Sequence, residues 1–390
     1  MTTTDSIEIL GRRLRLGMIG GGGESLIGPV HRLAARLDDR YDLVAAVLSS
    51  NGERSRAEAE RLGVPRAYAS VDDMLTAERA RPDAIDVVAI VTPNDTHVDY
   101  AERAMSRGFD VICEKPLANG LAEARRLSAA AQKSGRLLCL THNYSGYPMI
   151  REARAAVVAG ELGRVHLVQV SYLQGTLGSR VEDDPGRMPG RLKWRLDAAR
   201  GGPSHVLLDI GSHAHQLATY VTGDRVASVL ADVGAAVEGR SAHDTASVIM
   251  RMGNGARGTI LASRAASGSD NRMSIEIYGD KAGLRWEQSS PDLLHVTRTA
   301  LPAEIRAKGL ASLHPLARRA SRAPSGHPEA FFEAFANLYR DFADLVAARI
   351  AGIAPDPLAA HIPTVDDGVA GLAFIEACVR SSERGGWTDC

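Results

Sequence analysis

Between residues 14 and 144 the chain alternates short apolar runs with helix-patterned segments, and that alternation leaves few folds open. Residues 14–20, 43–48, 84–91, 109–113 and 137–140 read as buried strands, with helical patterns over 30–37, 98–107 and 120–134. Strands and helices alternating at these lengths imply right-handed βαβ units and a parallel sheet covered on both faces. Each strand runs into a polar or glycine-rich loop at its carboxyl end. In a doubly wound sheet, one crevice beyond the strand ends collects such loops.

The first loop carries Gly20 and Gly22 and leads to Gly28 at the start of a helical pattern. Strand, glycine loop and helix form the context of a dinucleotide fingerprint, in which glycines let the backbone approach a pyrophosphate and the helix N-terminus offers N–H donors. Five residues separate Gly22 from Gly28 where the usual spacing has two, so the loop reads as three residues longer than standard. Taken alone, the same glycines also read as a plain turn. The second strand ends at Ser49 and Ser50, with Arg54 following. NAD-binding folds commonly place an acid here for the ribose hydroxyls. A serine and an arginine instead suit a 2′-phosphate, which tilts the expected cofactor from NAD towards NADP. Arg54 reads equally as an exposed position of the next helix.

The run over 109–113 ends in Glu114, Lys115 and Pro116. Only five of the 46 basic residues are lysine, namely Lys115, Lys133, Lys193, Lys281 and Lys308. A chain that uses arginine for ordinary surface charge invites a chemical reading of a lysine at a strand end, because lysine can exchange a proton. The competing reading is a solvated loop lysine. Thr92, Pro93, Asn94 and His97 close the preceding strand, and His142, Asn143 and Tyr144 close the one after.

Beyond residue 160 the rhythm changes. Residues 165–172, 226–233, 246–252, 257–262 and 273–278 read as strands in quick succession, with Asn254-Gly255 as a hairpin signal. The expectation is an α/β domain over 1–145, a Rossmann-type doubly wound parallel sheet, followed by an α+β domain over 146–390 with a large, mostly antiparallel open sheet. Residues 301–326, rich in Arg, Ala and Pro, read as irregular. The pattern over 328–350 puts Phe331, Phe335, Leu338 and Phe342 on one helical face, which reads as core. Asp209 and His213 stand four apart in a helical stretch and so share a face. That pairing suits general-base chemistry, with the carboxylate orienting the imidazole. It reads alternatively as a helix cap and an incidental histidine. His215 points to a different face. The polar loop 175–204, holding Trp194 and Arg195, reads by position as a substrate-specificity segment, or as an unrelated solvated loop.

Net charge is −1 with acids and bases mixed, so no basic field is available for nucleic acid or an anionic membrane. The four cysteines are far apart and no metal-type cluster or H-E-x-x-H occurs, so no metal is expected. No G-x-S-x-G elbow is present for a serine hydrolase. No apolar run is long enough to cross a bilayer and no signal-like leader opens the chain, which gives the expectation of a cytoplasmic protein.

Four features together carry a resemblance over nearly the whole chain: Gly28-x-x-His31, Thr92-Pro93-Asn94-x-x-His97, Glu114-Lys115-Pro116 and Asp209-x-Gly211-x-His213. The sequence resembles the Gfo/Idh/MocA family, relatives of glucose–fructose oxidoreductase and inositol dehydrogenase. The resemblance implies NAD(P)-linked oxidation or reduction of a secondary alcohol on a sugar, cyclitol or related polyol, in a homodimer or homotetramer. By the same resemblance Lys115 would hydrogen-bond the reacting oxygen and His213 would be base in oxidation and acid in reduction. Asp209 would orient His213 and bind a neighbouring hydroxyl, and Glu114 and Pro116 would shape the loop, with a cis Lys115-Pro116 bond. Gly20, Gly22, Ser49, Ser50, Arg54, Thr92, Pro93, Asn94, His97, Glu114, Lys115 and Asn143 are the expected cofactor contacts. Tyr144, Trp194 and Arg195 join Lys115, Asp209 and His213 as expected substrate contacts. Two other readings on the same scaffold are a glycoside-cleaving enzyme with transient redox and a non-catalytic sugar or dinucleotide sensor.

Overall fold

The computed structural model describes residues 5–23, 25–184, 186 and 202–390, which form two compact units. Residues up to Ala118, Ala122–Gly146 and Phe331–Val369 form the first; Asn119–Leu121, Tyr147–Ala330 and Ala370–Cys390 form the second.

The first unit is built on strands β1 (Leu14–Gly20), β2 (Tyr41–Val47), β3 (Arg66–Ala67), β4 (Val87–Val91), β5 (Asp110–Cys113) and β6 (Leu138–Leu140). Every neighbouring pair is parallel and the order is β3-β2-β1-β4-β5-β6. This is the doubly wound Rossmann order, reached because β-rich apolar runs buried on both faces need a crossover helix between each pair. Leu14, Leu16, Met18, Val87, Ala89 and Ile112 bury one face of this sheet. The helix Phe331–Ala351, far away in sequence, completes that core with Phe335, Leu338, Tyr339, Phe342 and Val346. The apolar stripe expected over 328–350 is therefore core. It packs on the helices Gly28–Leu37 and Ser6–Leu10 and shares their core with the parallel sheet.

The second unit carries β7 (Val165–Leu173), β8 (Val226–Gly234), β9 (Thr245–Met252), β10 (Arg257–Ser263), β11 (Arg272–Gly279), β12 (Gly283–Glu287), β13 (Leu293–Thr297), β14 (Glu304–Ala307) and β15 (Thr388–Asp389). They form one sheet in the order β14-β13-β12-β11-β7-β10-β9-β8-β15, antiparallel throughout except for the β7–β10 pair. Strict alternation along β9 buries Ala246, Val248, Met250 and Met252 on one face. The other face exposes Leu167, Ile249, Leu261 and Tyr278.

Residues 301–326 are not wholly irregular as expected. β14 pairs with β13, and Pro315–Arg319 forms a helical turn. Both are too short, at four and five residues, for a local period to betray them. β14 is held by register and by Arg306, which pairs with Glu152, Glu161 and Glu304. No helix among the described residues is long and apolar enough to cross a membrane, and none of their acidic, histidine or cysteine side chains cluster as metal ligands.

Candidate active site

The glycine loop leaves β1 at close quarters with its neighbours. Gly20 has φ +80°, and a Cβ there would lie 2.4 Å from the Val91 carbonyl oxygen on β4. A Cβ on Gly22 would lie 2.6 Å from the Leu48 carbonyl, and one on Gly28 only 1.9 Å from that of Gly21. The tight helix–loop pair is thus Gly21 with Gly28, a partner that Gly20-x-Gly22 spacing did not point to. The extra residues fold back on themselves: Ser25 N donates to Gly22 O at 3.2 Å and Gly28 N to Ser25 Oγ at 3.0 Å. Gly23 N donates to Glu58 Oε1 at 3.2 Å, and Glu58, bridged by Arg61 and by this N–H, has its pKa held down to about 2. The helix Gly28–Leu37 that follows has no side-chain cap at Ile27, but Gly28 N is taken by Ser25 Oγ and Pro29 has no N–H, so any helix donor for a phosphate comes from beyond the first two positions.

At the end of β2, Ser49 Oγ accepts from Asn51 N at 3.2 Å, and Ser50 and Arg54 are exposed. Asn51 caps the helix Gly52–Arg61 by accepting from Arg54 N at 2.9 Å.

β5 delivers Glu114, Lys115 and Pro116, and the Lys115-Pro116 peptide is cis. Glu114 is buried. Its Oε1 accepts from His31 Nε2 at 2.9 Å and from Thr141 Oγ1 at 2.5 Å, while His31 Nδ1 lies 2.7 Å from the Tyr339 hydroxyl. Burial pushes the Glu114 pKa up, but the His31 and Thr141 hydrogen bonds and the Lys115 charge outweigh it, so the carboxyl is held below its ordinary value. An ionised, immobilised carboxylate therefore sits next in sequence to Lys115, which is half-buried. His97 is fully buried, with Nδ1 2.8 Å from Pro116 O and Nε2 2.9 Å from Thr92 O. Burial lowers its pKa, and the ring braces two of the expected cofactor loops against each other. Thr92 Oγ1 accepts from Thr96 Oγ1 at 2.7 Å, and Pro93 and Asn94 are half-buried beside it. Asn143 and Tyr144 are buried just past β6, and Asn143 Nδ2 has no hydrogen-bond partner among the described residues. A buried amide donor without an acceptor, on a loop beyond a strand end, fits a site that a ligand completes.

In the second unit Asp209 lies in a π-helical turn, Leu207–Gly211, that runs into the helix Ser212–Thr222 carrying His213. Single π turns recur at functional sites because the extra residue re-aims side chains. Asp209 Oδ2 accepts from Arg264 Nη1 at 2.5 Å. That arginine, just past β10, also lies 3.1 Å from His205 Nε2 and donates from Nη2 to Thr176 Oγ1 at 2.8 Å. His213 is buried with its ring 6.1 Å from that of Tyr172. His215 stacks on Phe374 at 4.6 Å between centroids, its Nδ1 has no hydrogen-bond partner among the described residues, and burial lowers its pKa to about 4. It is a core histidine. Arg264 and His205 escaped the sequence reading because no short-range pattern links them to Asp209. The base of the 175–204 loop is clamped by Arg240, which donates to Leu177 O and Ser179 O and pairs with Glu182 and Asp244. Trp194 and Arg195 lie outside the described residues.

A parallel sheet in Rossmann order with a glycine loop at its centre defines a dinucleotide-binding oxidoreductase, and sequence comparison agrees. Residues 14–142 match the oxidoreductase family with an NAD-binding Rossmann fold, and residues 150–285 match the GFO/IDH/MocA C-terminal domain. The chain belongs to the Gfo/Idh/MocA family. It is 32% identical over 385 residues to an uncharacterized oxidoreductase of Bacillus subtilis, covering 97% of each chain. An inositol dehydrogenase homolog from Azotobacter vinelandii, solved with NADH and myo-inositol, is 34% identical with a TM-score of 0.89, covering 99% of this chain and 100% of that one. An oxidoreductase from Sinorhizobium meliloti is 41% identical with a TM-score of 0.86, over 96% and 99% of the two chains.

Proposed function

We propose that the protein is an NAD(P)-dependent dehydrogenase acting on a secondary alcohol of a sugar, cyclitol or related polyol. The observation that carries this reading is Lys115 at the carboxyl end of β5, in the sheet that holds the glycine loop, seated beside a buried and ionised Glu114. The full-length relative bound to NADH and myo-inositol supports the same substrate class.

In this reading residues 1–145, with the helix Phe331–Ala351 packed against them, hold the cofactor, and the remainder of 146–390 binds substrate and a second copy. Gly20, Gly22, the N-terminus of the helix Gly28–Leu37, Thr92, Pro93, Asn94 and Asn143 hold NAD(P), with His97 bracing their loops. Bound NAD(P) supplies the hydride acceptor for a substrate carbon. Lys115 donates a hydrogen bond to the reacting oxygen and stabilises its developing negative charge. His213 removes the hydroxyl proton in oxidation and returns it in reduction, with Asp209 supporting its charged form. Ser49, without a carboxylate, and Arg54 leave room for the 2′-phosphate of NADP. The exposed row Leu167, Ile249, Leu261 and Tyr278 is the surface for a homodimer or homotetramer, and the reading places the enzyme in the cytoplasm.

The test is calorimetric titration with NAD(H) and NADP(H), followed by absorbance at the nicotinamide band across a panel of polyols. Tight binding with turnover that falls about 100-fold or more in Lys115→Ala supports the reading. Tight binding without net reduction points to transient redox, and no dinucleotide binding refutes it.

A further inference from the structure

The pairing of Asp209 with Arg264 joins residues 55 apart in sequence. We infer that Arg264 is the positioning residue of the Asp209–His213 pair, fixing the carboxylate and tying it to Thr176 at the base of the 175–204 loop. The inference rests on the dehydrogenase reading and adds a residue to it.

The guanidinium is engaged at both ends. Nη1 meets Asp209 Oδ2 at 2.5 Å, and Nη2 donates to Thr176 Oγ1 at 2.8 Å. A planar fork held at two points has one orientation, which an ammonium could not reproduce. Water is largely excluded, since the Arg264 and Asp209 side chains are only 10% and 14% exposed. An ion pair shielded in this way is rigid, whereas one at the open surface is not. His205 closes the cluster. Arg264 Nη1, an obligate donor, faces His205 Nε2 at 3.1 Å. Thr176 is not a loose partner, because Arg240 pins the next residue through Leu177 O at 2.6 Å. The π turn adds the need. Regular α-helical geometry would set the Asp209–His213 relation from the backbone, and at a π turn it does not, so a side chain supplies the orientation.

The experiment compares the full-length wild type with Arg264→Ala, Arg264→Lys, Asp209→Asn and the Ala/Asn double variant. Polyol oxidation, NADH affinity and thermal midpoint are read on each. Arg264→Ala should lose about 100-fold in kcat/KM, chiefly in kcat, while NADH affinity stays within about twofold. Millimolar guanidinium should restore at least about tenfold of that loss where equal sodium chloride does not. In the Asp209→Asn background the same change should cost less than about threefold, because Arg264 acts through Asp209. Arg264→Lys keeps the charge without the fork and should lose about tenfold in kcat at an unchanged midpoint, which carries the test if the alanine variant fails to fold. Wild-type kcat in Arg264→Lys, or losses that multiply in the double variant, would overturn the inference. A wild type that binds NADH but oxidises no polyol removes the dehydrogenase reading itself, and this inference with it.

Discussion

Replacing Gly28 with alanine is the most direct probe of how the lengthened glycine loop holds its shape. The added Cβ would sit 1.9 Å from Gly21 O and 2.6 Å from Gly21 Cα, both backbone atoms that no rotamer change can move. Relief needs a shift of about 1 Å or more between the loop and the helix Gly28–Leu37, since non-bonded heavy atoms settle near ~3.5 Å. Overpacking of this kind costs about 1–3 kcal/mol of stability. In the proposed reading the shift would also withdraw backbone N–H donors from a cofactor phosphate, and a hydrogen bond to a charged group is worth about 1.5–3 kcal/mol. NADH should therefore bind roughly 10- to 100-fold more weakly. Gly23→Ala is the matched control. Its φ of +55° adds strain, but among the described residues, its chain neighbours aside, nothing lies within 4 Å of the new Cβ. NADH fluorescence titration and thermal melting on the three proteins decide the matter. A Gly28→Ala protein with wild-type affinity and midpoint would refute the close-approach argument, as would a Gly23→Ala protein that loses as much.

His215 offers a test by pH. Its folded pKa near 4 lies below the ordinary 6.5, so the unfolded chain takes up a proton first as pH falls, and the fold loses about 3 kcal/mol between those values. His215→Leu should move the acid-unfolding midpoint to lower pH while leaving stability at pH 8 within about 1 kcal/mol. Coincident acid transitions, followed by circular dichroism, would contradict the assignment of a neutral core histidine. Arg240 and Asp244 are both fully buried at 2.9 Å. Arg240→Ala should cost about 3–5 kcal/mol in urea unfolding, because it leaves the buried Asp244 charge without its cation, held among the described residues only by Ala236 N, Val237 N and Thr245 Oγ1. A loss under about 1 kcal/mol would mean that Asp244 finds another donor or protonates.

The architecture was legible where short-range patterns carry it. Apolar runs over 14–20, 84–91 and 109–113 became β1, β4 and β5, and the loops that close them lie at the strand ends as the alternation required. Alternation also revealed β9 and β10, with one face in and one face out. β14 was missed because Glu-Ile-Arg-Ala is only four residues long and its Ile305 is exposed, so its place comes from pairing with β13 and from carboxylates on distant elements. The long helix Phe331–Ala351 declared its buried face, but nothing local said which core would receive it.

The candidate site divides along the same line, and the division has a physical cause. The residues proposed for the chemistry, Lys115 just past a strand end and Asp209 and His213 around a helix start, sit in compact motifs that spacing exposes. The residues that set their electrostatics need no such motif, because a charge-assisted hydrogen bond asks only for proximity in space. Glu114 takes its proton donors from His31, 83 residues away, and Thr141, 27 away, and Asp209 takes Arg264 from 55 away. Each partner comes from a different element of its own unit. A single substitution at Arg264 or Thr141 would thus leave each of the four sequence motifs intact while altering the environment of the carboxylate that the motif contains. Such partners have to be read from the folded chain.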